Sequence, residues 1–251
     1  MNSFLPTIEE SRDFFAQVDQ RLQAPDWFLC NQKGCCDGNA DCCRHSLQAM
    51  LTWIEMELIW SRIQDWTPAD RRSLAKKAKD QVNAIRAASP ELFDSVDDRE
   101  RLDRDTIGKV TEAIGKVDHV CPLLGDNNLC TVYDSRPLIC RGFGQAARVK
   151  MNENGQPEGQ MMSCSANHAH MKQRDPDFEI PNFDVFEREL YELAAPRVKF
   201  SRTALIVKPL QFWLMDLMDD SGDLTNPNDL FTSIRMFIDT GMNQGISPKV
   251  E

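Results

Sequence analysis

The chain has 251 residues, with 29 Lys and Arg against 39 Asp and Glu, for a formal net charge of −10. That length supplies one large domain or two small ones, with a core that needs no disulfide staples. The acidic balance gives no signal of a basic face, so neither nucleic acid nor a membrane surface is expected as a partner.

The first residues, MNSFLPTIEE, reach acidic positions without a basic start and an apolar run, so no secretory signal is expected. The most apolar stretches, LQAMLTWIEMELIW and TALIVKPLQFWLMDLM, are interrupted by Glu, Lys, Pro and Asp. Neither reaches the roughly 18 apolar residues of a membrane span. The expectation is a cytoplasmic chain, and there its nine cysteines read as metal ligands or catalytic thiols before disulfides.

In chain order, TIEESRDFFAQVDQRL predicts a helix that Thr7 caps, with Glu9 and Glu10 at its positive end. DWFLCNQKGCCDGNADCC has no helical period and reads as a loop. Leu47, Met50, Leu51, Ile54 and Leu58 then fall at helical spacing and predict an amphipathic helix over 46–63. A further helix opens with Thr67 as cap and Pro68 at its first position, and carries Leu74, Ala78, Val82 and Ile85 on one face. A charged stretch over 97–105 leads into another, ending near Gly115.

HVCPLLGDNNLCTVY carries a hairpin signal. With Gly125-Asp126 as a two-residue loop, Cys121 and Cys130 stand opposite one another, their Cβ atoms about 4.5–5.5 Å apart. Asn154-Gly155 marks a second hairpin, which returns the chain toward Cys164. The remainder reads helical over 182–195, 201–218 and 226–241, with Pro209 kinking or breaking the second of these. The fold class is therefore mainly α (α+β), a helical domain with two short β-hairpins and a cysteine-rich metal site joining two loops.

The cysteines form two groups: Cys30, Cys35, Cys36, Cys42 and Cys43, then Cys121, Cys130, Cys140 and Cys164. Free cysteine is often a buried small hydrophobe, but clustering in polar loops points to metal ligation instead. Thiolates hold zinc, and iron–sulfur clusters, in sets of four. The spacing matches neither a zinc finger nor a ferredoxin. Adjacent side chains diverge, so one member of Cys35/Cys36 and of Cys42/Cys43 is expected to face elsewhere. No cysteine is paired with a base, and no catalytic residue is assigned.

The arrangement C…GCC…CC followed by CPLLGDNNLCTVYDSRPLICRGF resembles the YkgJ-type cysteine-cluster family of zinc- or iron-chelating domains. The matching positions are Cys121-Pro122, Cys130, Tyr133, Arg136-Pro137 and Cys140-Arg141, with Glu55 similar in the helix after the first loop. The first half departs, because five residues separate Cys36 from Cys42. The resemblance covers roughly 28–165 of a single domain over 1–251, leaving 166–251 as a helical C-terminal extension. It extends distantly to flagellin lysine methylases, although this chain has no glycine-rich strand-loop-helix for a methyl-donor cofactor.

Arg136 and Arg141 are candidate cofactor-binding residues, because guanidinium groups stabilise the negative charge of a thiolate-held cluster. Among the histidines, His119 shares the strand face of Cys121, while His45, His168 and His170 read first as loop residues. Tyr133 is expected to pack, Glu55 to support the site, and Glu57 to face solvent. The Trp and Met residues of WIEMELIW and QFWLMDLM are expected in the core. Two functions remain open: an iron–sulfur cluster (4Fe–4S favoured) used in redox or protein-modifying, methyl-transfer-like chemistry on another protein, or a zinc-stabilised protein-interaction module without catalysis.

Overall fold

Thr7 and Thr67 cap helices where the sequence places them. In a computed structural model, the protein is described over residues 5–22, 40, 42–46, 50–90, 104–117, 120–143, 146–151, 154, 156–162, 181–194, 207–218, 223–224 and 230–236. Helix α1 (Ile8–Arg21) begins with a capping box, in which Thr7 Oγ1 accepts from Glu10 N–H and Glu10 accepts from Thr7 N–H. α2 is Trp53–Ile63 and α3 is Pro68–Ala88, the latter capped by Thr67 with Pro68 in its first turn. α4 is Arg104–Gly115, α5 the short Leu138–Gly142, α6 Phe183–Ala194 and α7 Leu210–Asp216. Residues 230–236 form α8.

The helix expected over 46–63 starts later than its periodicity suggests. Met50–Thr52 is instead a strand, β1, paired antiparallel with β4 (Val207–Pro209), so that Met50 faces Pro209 and Thr52 faces Val207. Glu55 supplies the reason for the late start, closing a capping box on Thr52 at the head of α2. α2 buries Trp53, Ile54, Glu55, Met56, Leu58, Ile59, Trp60 and Ile63, and leaves Glu57, Ser61 and Arg62 as its narrow polar face. Pro209 breaks the second C-terminal segment as expected, ending β4 and capping α7.

The second sheet is the hairpin of β2 (Ala147–Met151) and β3 (Pro157–Met161), which turns around Asn154. The other predicted hairpin is reduced to one bridge, between Leu124 and Cys130. The protein is thus mostly helical with two small two-stranded antiparallel sheets.

The core forms around α2 and α7. Trp53 and Trp213 are fully buried, and each indole N–H reaches a carbonyl, Ala194 O at 3.3 Å and Leu51 O at 2.9 Å. Leu74 and Ala78 of α3 join this core, while Val82 and Ile85 form a second cluster with Ala113, Ile114 and Phe212. Glu57, expected in solvent, instead pairs with Arg235 of α8 at 2.6 Å, because α8 covers that side of α2. Among the described residues no helix is long and apolar enough to cross a membrane.

Candidate metal centre

Two cysteine-bearing segments meet beside this core. The first is a single π-helical turn, Cys42–Ser46, entered through Ala40, whose carbonyl accepts from Cys43 N–H at 2.9 Å and Arg44 N–H at 3.0 Å. Ala40 is buried and left-handed at φ 50°, a conformation that costs a side-chain-bearing residue about 1–2 kcal/mol. The second segment runs from Cys121 to Cys130. Cys121 N–H donates to Cys43 O at 2.7 Å, which ties the two segments together.

The register of the second segment differs from the expected two-residue turn. Leu124, not Cys121, stands opposite Cys130, and Gly125 N–H donates to Leu129 O at 2.9 Å across the loop. Asn128 makes the longer loop possible by taking a left-handed conformation at φ 61°, which Asn tolerates well. Its side-chain oxygen accepts from Arg44 of the π-turn, a second link between the segments.

The thiols gather around Cys43. Its sulfur lies 3.9 Å from that of Cys42 and is hydrogen-bonded to Cys121. Adjacent cysteines are expected to diverge, but the wide π-turn rotates successive side chains less, and this pair stays together. Thiolates sharing one zinc ion at about 2.3 Å stand about 3.8 Å apart in a tetrahedron, close to the spacing of this pair.

Cys130 is near enough for its charge to act on both Cys43 and Cys140, and the charge of Cys43 acts on Cys140. The Cys43 thiol is pushed well up from its ordinary value, first by the Cys121 hydrogen bond and then by burial and neighbouring thiols, against the opposing contact with Cys42. Burial, followed by the charge of Cys43, Cys130 and Cys42, pushes Cys140 up as well. None of the five described cysteines is in a disulfide. Their contacts are pairwise: among the described residues, no three His, Cys, Asp or Glu side chains are yet spaced as one ion's ligands.

Cys140 sits on α5, which is held from both sides. Leu138 N–H donates to Glu55 Oε1 at 2.8 Å, and Arg141 is 2% exposed. Arg141 donates through Nε to Arg136 O at 2.9 Å, through Nη2 to Asp134 O at 2.6 Å, and through Nη1 to Asp19 of α1. Its guanidinium also lies over the Phe15 ring. A Cβ on Gly142 would run into the Phe183 ring, so the chain approaches α6 closely there.

Arg136 is placed differently. It stacks over Tyr133 at 4.1 Å, its charge favours the Cys140 thiolate, and its buried Nε has no hydrogen-bond partner among the described residues. Glu55 is 3% exposed, and burial raises its carboxyl above the ordinary range despite donors from Thr52 and Leu138 and the Arg141 charge.

Cys30, Cys35, Cys36, Cys164, His119, His168 and His170 lie outside the described residues, as does the side chain of His45. The sequence offered no signal for Asp19 as the partner of Arg141. The GDNN run marked a turn without showing its length. A cleft of about 450 Å³ opens beside the second segment, with Trp66, Asp70 and Lys77 facing Pro122, Leu124 and Thr131.

A thiol-rich set from two segments, with a buried guanidinium N–H beside it that has no partner among the described residues, suits a bound metal or cluster chemically. In agreement, the family model described as "CxxCxxCC: Putative zinc- or iron-chelating domain" matches residues 30–165, just over half of the chain. No curated protein and no solved structure matches.

Proposed function

This chain belongs to the CxxCxxCC family of zinc- or iron-chelating domains, and from that premise we propose that the thiols around Cys43 hold an iron–sulfur cluster of the 4Fe–4S type, used in redox or methyl-transfer-like chemistry on another protein. The observation that supports this reading is Arg136 Nε, a buried donor without a partner among the described residues, on a side chain whose charge already favours the Cys140 thiolate. Hydrogen bonds to cluster sulfurs are one of the means by which a protein tunes such a centre.

A second support is the thiol supply. Five described cysteines, with four more in the matched region, exceed the four that one closed zinc site takes. When bound, the cluster supplies electron transfer at iron. The chain's own residues ligate it and hold α5 through Glu55 and Arg141. A cytoplasmic setting, where thiols stay reduced, belongs to the same reading.

The alternative is a zinc-stabilised module that meets another protein without catalysis. It is favoured by Val120 and Leu129, each next to a cysteine of the site, which stand 40% and 36% exposed. Metal analysis and acid-labile sulfide, measured on the same anaerobically purified protein, separate the two. Iron with sulfide supports the cluster. Stoichiometric zinc without sulfide ends that reading, since zinc has no redox chemistry and four thiolates leave it no open position.

A further inference from the structure

Glu55 stands apart from the thiols, yet its carboxylate joins two segments that are distant in sequence. Oε2 accepts from Thr52 N–H at 2.7 Å and Thr52 Oγ1 at 2.8 Å, while Oε1 accepts from Leu138 N–H at 2.8 Å. Leu138 opens α5 and so has no intrahelical acceptor for its amide. Thr52 belongs to β1, which is paired with β4 and anchored by the Trp213 indole on Leu51 O. One buried side chain therefore ties the rigid head of α2 to the turn that presents Cys140.

We propose that Glu55 is a positioning residue of the cysteine site, setting the place of the Cys140 thiol by holding the Leu138 amide. The inference rests on the metal-binding reading above. Its chemistry requires a carboxylate: both oxygens accept, one toward each segment, and a carboxamide has only one acceptor. In Glu55→Gln the amide NH2 must meet either the Thr52 or the Leu138 N–H, donor against donor. Glu55→Asp keeps both acceptors but is one methylene too short to span the same gap.

The test uses full-length protein loaded with cobalt(II), whose thiolate charge-transfer bands report the number and geometry of sulfur ligands. Loss of a supporting partner weakens metal binding by about 10–100-fold. Glu55→Gln is expected to fall in that range and to lose charge-transfer intensity, with Glu55→Asp between it and the unmutated protein. In the metal-free protein, Cys140 is expected to alkylate at least about tenfold faster in Glu55→Gln, with Cys121 and Cys130 little changed.

Folded variants with unaltered cobalt affinity, spectrum and Cys140 reactivity would overturn the proposal. Should Glu55→Gln fail to fold, amide exchange in the unmutated protein decides: Leu138 N–H exchanging as fast as an unprotected amide refutes the contact, and protection supports it. Unmutated protein that binds no metal defeats the metal reading alone, because the alkylation comparison still judges Glu55.

Discussion

Replacing Arg141 by Met tests whether the cysteine site is braced by the fold or only by its metal. The Met side chain keeps much of the apolar stem but removes every donor and the guanidinium that lies over Phe15. Asp134 O and Arg136 O then lose charge-assisted bonds at 2.6 and 2.9 Å, around a guanidinium that is 2% exposed and cannot be replaced by bulk water. Each hydrogen bond to a charged group contributes about 1.5–3 kcal/mol, so the two together come to about 3–6 kcal/mol. The Asp19 contact adds little, because that carboxylate is 46% exposed and rehydrates on loss of its partner. A loss of about 3–6 kcal/mol is a large part of the roughly 5–15 kcal/mol that holds a typical domain folded. Urea denaturation of metal-free protein measures it, with Asp19→Asn as the control expected to cost less than about 1 kcal/mol. A loss below about 1 kcal/mol for Arg141→Met, or one equalled by Asp19→Asn, would refute the bracing argument.

Cys121→Ser, Cys130→Ser and Cys140→Ser are each expected to lower metal content and melting temperature together, since ligation energy in such sites is folding energy. Cys35→Ser or Cys36→Ser alone should do less, and equal metal loss from all five would contradict a spare ligand in that pair. Metal uptake is expected to release protons and to tighten as pH rises past the ordinary thiol value of 9.0, because Cys43 and Cys140 are both pushed above it. The sign reverses without metal: raised thiols contribute stability below pH 9.0 that is lost as pH climbs through their folded values. Calorimetry in buffers of different ionisation heat checks the release, and pH-independent uptake would count against thiolate ligation. Asn128→Ala removes both a residue suited to φ 61° and the Arg44 contact, for a melting loss equivalent to about 1–2 kcal/mol, whereas Asn128→Gly should recover part of it.

Local signals were the legible part of this fold. Thr7 and Thr67 cap helices because a cap is decided within four residues, and the face of Leu74, Ala78, Val82 and Ile85 is buried because its period is that of a helix. The head of α2 was misplaced for a physical reason. Met50 and Leu51 satisfy a helical period as well as a three-residue strand does, and only the pairing with Val207–Pro209 makes them β1. Strand β4 ends in a proline, which weakens any sequence signal for it, and so short a strand shows no alternation.

The candidate site divides along the same line between local and non-local. The meeting of two cysteine segments was expected from a shared set of four ligands, and the Cys121 N–H bond to Cys43 O brings the two segments into contact. What places each thiol is non-local. Asn128 lengthens the loop and reaches Arg44, Asp19 of α1 receives Arg141, and Glu55 of α2 receives the Leu138 amide. None of these links lies within one helical turn or one hairpin, so no spacing rule reveals it. They also anchor the thiols to different parts of the core: Cys140 through α1 and α2, Cys43 through the turn at Ala40. A metal joining such thiols therefore closes long loops between elements that are already packed. Its removal should loosen the 121–140 segment while leaving the Trp53–Trp213 core in place. Hydrogen exchange on metal-loaded and metal-free protein distinguishes that outcome from global unfolding, because amides of α2 stay protected only if the core stands without the metal.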